Sequence, residues 1–172
     1  MRLTMRYGRL DRRARTITAV VLLLLVVLCV VLFALSGGAT YLAAWTTSVA
    51  VALVALALLS LPRRIILSDE ELELRCLVET TYIRMSSIVD VEVVEGGALR
   101  HKLPLLGTCG FGGYCGFWLD LASWRVYRCY LTTREGCVAI HTSHRRYLVS
   151  CAAPELLRGQ ILATKARCSR DE

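Results

Sequence analysis

Ile17–Leu35 reads ITAVVLLLLVVLCVVLFAL, and after Ser36–Thr40 the chain continues as Tyr41–Leu61, YLAAWTTSVAVALVALALLSL. The first run holds 19 residues and the second 21, with no Asp, Glu, Lys, Arg or His in either. A hydrocarbon core of about 30 Å takes about 20 apolar residues at a helical rise of about 1.5 Å. Both runs meet that length, and the five-residue link forces an antiparallel pair. Helices that are apolar on every face are rare in soluble cores, so the pair reads as a transmembrane hairpin. A cleaved signal is the alternative for the first run. Its apolar segment is longer than the ~7–15 residues of a signal, and a second span follows at once.

The charges sit around this hairpin. The chain of 172 residues carries 21 Lys+Arg and 14 Asp+Glu, a net of +7. Residues 1–16 hold Arg2, Arg6, Arg9, Arg12, Arg13 and Arg15 against Asp11, and Arg63 and Arg64 follow the second run. These flanks account for the whole excess, because from Ile65 onward 13 basic residues meet 13 acidic ones. The positive-inside rule places both termini in the cytoplasm, with Arg12, Arg13, Arg15, Arg63 and Arg64 as the topology-setting cations. The expected organisation is a basic N-terminus (1–16), a two-helix transmembrane hairpin (17–61), a cytoplasmic domain (62–167) and a short tail (168–172). The expected location is the inner (plasma) membrane, multi-pass, with the bilayer as first partner. With no ionisable acid, base or His inside the runs, an anchor is favoured over a transport path.

Beyond the hairpin the apolar pattern has period two. Leu72, Leu74, Cys76 and Val78 alternate with Glu73, Arg75 and Leu77, and the same period runs through Val89–Val93, Tyr127–Leu131 and Val138–Ile140. Together with Arg64–Leu67, Thr80–Met85 and Arg146–Ser150, this predicts about seven antiparallel strands with one face buried. Turn residues at Ser68–Glu70, Arg134–Gly136 and Ser143–Arg145 predict hairpins. Pro154–Ala166 predicts one closing helix, with Leu157 and Ile161 on one face. The fold class is therefore a membrane α-hairpin followed by a mostly-β domain in a bent sheet or barrel.

Two spans, then strands and a closing helix, resemble the bacterial PH (pleckstrin homology-like) domain membrane proteins. The stretches RRIILSDEELELR, SSIVDVEVVE, GTCGFGGYCGFW, RVYRCYLTT and RRYLVS…APELL carry the resemblance, from Leu61 to about Leu162. It implies a PH-like barrel. The loop Ser68-Asp69-Glu70-Glu71 is acidic where phosphoinositide-binding PH domains are basic, so phosphoinositide binding is not expected.

The residues that might carry chemistry are few. Eight cysteines form no C-x-x-C pair, and His141-Thr-Ser-His144 lacks the Glu of a zinc-protease helix. Gly107–Gly116 holds five glycines in ten residues but has neither phosphate-loop nor dinucleotide spacing. It reads as a loop whose aromatics Phe111, Tyr114, Phe117 and Trp118 either pack onto the domain or dock on a partner. No catalytic, cofactor or metal residues are assigned, and nucleic acid is not expected of a charge-balanced domain. The expected function is a non-enzymatic interaction module that binds a protein partner or self-assembles. The alternatives are a Cys/His metal or redox protein and a lipid-surface sensor.

Overall fold

The computed structural model describes residues 3–8, 10–35, 40–59, 62–76, 80–94 and 96–168. The hairpin tip at 36–39, Arg2, Arg9, Val78 and the tail 169–172 lie outside them. A strand β1 (Leu3–Arg6) is followed by helices α1 (Arg12–Leu35) and α2 (Thr40–Leu59). Then come β2 (Pro62–Leu67), β3 (Glu71–Cys76), β4 (Thr80–Arg84), a single 3-10 turn, β5 (Ile88–Val94), β6 (Lys102–Cys109) and β7 (Tyr114–Asp120). The chain closes with β8 (Arg125–Leu131), β9 (Cys137–Thr142), β10 (Arg146–Ser150) and α3 (Pro154–Cys168).

Among the described residues ten strands stand where about seven are expected. The period-two runs are all strands, and the additions are β1, β6 and β7. The stretch expected as a glycine loop is mostly a β6–β7 ladder, and only residues 110–113 turn. Gly107 faces Gly116 across that ladder, each at positive φ (139° and 119°), where side chains would collide with the opposite backbone. The glycines thus permit close strand approach rather than a floppy loop.

The strands form two sheets, β1-β2-β3-β4 and β5-β9-β10-β8-β7-β6. The turns at 68–70 and 143–145 close hairpins as expected. The turn at 134–136 does not, because β10 inserts between β8 and β9 and runs parallel to β8. A local turn signal cannot report such an insertion, which rests on contacts formed later in the chain. Between the sheets lies the main core: Met5, Ile65, Leu72, Leu74 and Ile83 meet Val91, Val138, Ile140 and Val149. Leu157 and Ile161, one helical turn apart on α3, are fully buried and close its open end. A buried Thr81–Tyr130 hydroxyl pair at 2.7 Å ties the sheets together.

The strand before the helices pairs with the strand after them. Met5 lies opposite Ile65, and β1 and β2 run antiparallel from Leu3–Leu67 to Arg6–Arg64. The link from β1 to α1 is clasped to the second sheet. Thr132 Oγ1 donates to the Gly8 carbonyl (2.8 Å), and the Asp11 N–H donates to the Thr132 carbonyl (3.0 Å). Among the described residues one helix, α1, is long and apolar enough to cross a membrane, and none of its most apolar stretch is buried. The described apolar part of α2, Ala44–Ala55, falls short of that length.

Candidate functional site

The second sheet has two faces, and register assigns each side chain to one. Leu106, Phe117 and Arg128 form one cross-strand row, and Leu103, Leu119 and Val126 form the next. These rows lie on the same side as Tyr130, which the first sheet covers. The first sheet does not reach them: Leu106 is 72% and Phe117 38% exposed, Leu103 and Val126 are exposed, and Leu119 is half-buried. The outer half of β6–β7–β8 therefore presents an uncovered apolar sheet face. The Arg128 guanidinium lies 5.5 Å from the Phe117 ring centroid and 5.5 Å from that of Tyr130. Pro104 on the edge strand, and the register shift beside it, interrupt the ladder there. Both hinder edge-to-edge strand pairing and leave side-chain packing as the means of contact.

The opposite face holds a second core. Tyr114, Trp118, Tyr127, Cys129, Leu131, Ala139 and Leu148 pack with Ala14 of α1 and Ala98. Ala14 is small enough to let the helix approach, and it sits fully buried between the exposed Arg13 and Arg15. The β6–β7 turn docks on the same helix. Thr18 Oγ1 accepts from the Gly112 N–H (2.8 Å) and itself donates to the Ala14 carbonyl (2.7 Å). A side chain at Gly110 would strike Ile17.

The four aromatics of the glycine-rich stretch thus part company. Tyr114 and Trp118 are core, packed edge-on at 6.3 Å between centroids. Phe117 faces solvent on the uncovered rows, and Phe111 is half-buried in the turn. Arg12, Arg13 and Arg15 stand exposed in the first turn of α1, and Arg63 and Arg64 stand exposed on β2. Leu103, Leu106 and Val126 were not visible as site residues in the sequence. The only available signal was the unbroken apolarity of Leu103–Leu106, which lacks the polar alternation of the other strands.

A family model of the bacterial PH domain matches residues 63–162. The chain belongs to the bacterial PH domain family. No curated protein and no solved structure compared with the chain matches it. The family domain runs from β2 into α3, so its first sheet gains a fourth strand from ahead of α1. The apolar rows and the β6–β7 turn belong to the PH domain itself, as does the second core apart from Ala14, which α1 contributes.

Of the PH domain's thiols, Cys115, Cys129, Cys137 and Cys151 are buried in packing positions, whereas Cys109 is exposed. Register puts Cys109 on the Tyr114 side of the hairpin and Cys115 on the other. Burial pushes the Cys115 and Cys137 thiols up to about 12 and raises Cys129 as well. Such groups stay protonated and are poor nucleophiles at neutral pH. Among the described residues no three His, Cys, Asp or Glu side chains gather as a metal site. A pH dependence follows. Unfolded thiols ionise near 9.0, whereas burial pushes those of Cys115 and Cys137 in the folded protein up to about 12. Between these values the folded state holds more protons, so the stabilisation is complete below about pH 9 and is lost as pH rises toward 12. The thermal midpoint is expected to be level from neutral pH to about pH 8.5 and to fall above it. At pH 8 a maleimide should label exposed Cys109 well before Cys115, Cys129 or Cys137.

Proposed function

We propose that the chain is a membrane-anchored, non-enzymatic interaction module of the bacterial inner membrane. Its two apolar helices cross and return, both termini lie in the cytoplasm, and the PH domain takes a protein partner on its uncovered apolar face. Supporting the two crossings is the pairing of β1 with β2: the chain leaves the domain at Arg6 and rejoins it at Pro62. Supporting the cytoplasmic side are Arg12, Arg13, Arg15, Arg63 and Arg64, exposed at the helix flanks. The observation that carries the interaction role is the pair of rows Leu106–Phe117 and Leu103–Leu119–Val126. Contiguous apolar surface of this kind marks a contact site. A second copy of the chain is the partner that needs no further component, and α1 and α2 hold two copies in one plane.

The test places a photo-crosslinking residue at Leu106 in the full chain in native membranes. The expected product is a discrete protein adduct, at twice the chain's mass if the partner is a second copy. The paired substitution Leu106→Thr with Phe117→Thr should abolish binding while shifting the thermal midpoint by no more than about 4 °C, since both side chains are exposed and Thr suits a cross-strand pair. Adducts to lipid alone would contradict the reading and favour a lipid-surface role.

A further inference from the structure

A cavity of about 430 Å³ opens beside the second core, on the face opposite the apolar rows. Gly97, Arg100, Lys102, Trp118 and Arg134 line it, and among the described lining residues none is acidic. Trp118 is 3% exposed, yet its indole Nε1–H has no acceptor. Arg134 Nε is likewise buried without an acceptor. A buried donor left without an acceptor is destabilising, so two at one cavity call for an explanation.

The backbone that carries these cations is fixed, and two of the three cationic heads lie over aromatic rings. The Ala98 N–H donates to the Arg134 carbonyl (3.2 Å), and the Arg100 N–H turns back to Gly97 (2.9 Å). The Arg134 guanidinium lies 4.7 Å from the Tyr114 ring centroid, and Lys102 Nζ lies 5.1 Å from that of Tyr127. A smaller adjoining cavity shares Gly97 and Arg134 and is lined by Arg13, Asp11 and Glu135. There the carboxylates offset the added arginine, whereas no described acidic residue lines the larger cavity, and Asp120, whose carboxyl feels the Lys102 charge, lies outside its lining.

We infer that this cavity binds a phosphate-bearing anion, with Arg100, Lys102 and Arg134 supplying charge and Trp118 Nε1–H a hydrogen bond. A phosphate group offers several acceptor oxygens, which suits donors converging from three segments of chain. A phospholipid headgroup and a soluble phosphate share this chemistry. Ala98 and Trp118 pack on Ala14, three residues before the apolar run begins at Ile17, so a headgroup is close at hand. The acidic turn Ser68–Glu71 plays no part, and the apolar rows lie on the other face of the sheet.

The test uses the full chain, labelled with 15N-tryptophan, in alkyl maltoside micelles that contain no phosphate. Its three indole N–H signals come from Trp45, Trp118 and Trp124. One arm adds phosphatidylglycerol, a second adds inorganic phosphate, and diacylglycerol is the neutral control. The Trp118 signal is expected to move downfield in at least one phosphate arm. Movement with phosphatidylglycerol identifies a headgroup, and movement with inorganic phosphate alone identifies a soluble ligand. Arg100→Gln with Lys102→Gln, at surface-accessible positions, should require about tenfold more ligand. A Trp118 signal that stays put in both arms overturns the inference. So does an equal shift with diacylglycerol, or an unchanged titration in the double variant.

Discussion

Gly107→Ala is expected to cost about 3 kcal/mol and to lower the thermal midpoint by about 6–12 °C. Gly107 and Gly116 face each other on the β6–β7 ladder at φ values of 139° and 119°. A Cβ on Gly107 would overlap the Cys115 carbonyl oxygen and stand 2.8 Å from Gly116 Cα. Both obstacles are backbone, so no side-chain rotation relieves them, and the positive φ adds its own strain. Gly159→Ala is the contrasting change. It lies on α3 with nothing within 4 Å of a new Cβ, so Ala should stabilise by about 0.5–1 kcal/mol. Circular dichroism melts of the full chain in detergent compare the two. Equal midpoints for wild type and Gly107→Ala would contradict the ladder register.

Tyr114→Ala should cost about 3–5 kcal/mol, the range for emptying a buried aromatic site. Its ring is fully buried, meets Trp118 at 67°, lies under Arg134, and belongs to the cluster through which Ala14 joins α1 to the sheet. The loss should therefore also loosen the helix from the domain, seen as faster amide exchange in residues 110–114. Tyr114→Phe separates ring from hydroxyl. The Tyr114 hydroxyl is buried without a partner, so Phe is expected to be neutral or to gain up to about 1 kcal/mol. A large loss with Phe would mean that the hydroxyl has a partner after all.

These two positions also mark where the sequence was legible. Strands β2–β5 and β8–β10 announce themselves because each buries alternate residues, against the main core in Leu72–Leu74 and Val138–Ile140 and against the second core in Tyr127–Cys129–Leu131. β6 and β7 do not, because Leu103, Leu106 and Phe117 lie on a face that nothing covers, while Gly107 and Gly116 break the pattern. β1 is four residues beside arginines, too short to show a period, and its pairing with β2 spans the whole helical hairpin. For the site, Phe117 was in view as an aromatic beside glycines. The leucines were not, since apolarity alone does not reveal which side is uncovered. The cationic cavity was invisible because Arg100, Trp118 and Arg134 meet only in three dimensions.

Protease protection of tags at both ends tests the central claim, that the chain leaves and re-enters the domain on one side of the membrane. The full chain carries one epitope ahead of Leu3 and another after Arg170. In inverted inner-membrane vesicles both tags should be digested, and in intact spheroplasts both should be protected. Digestion of the two tags from opposite sides would contradict the account, because β1 could not then pair with β2.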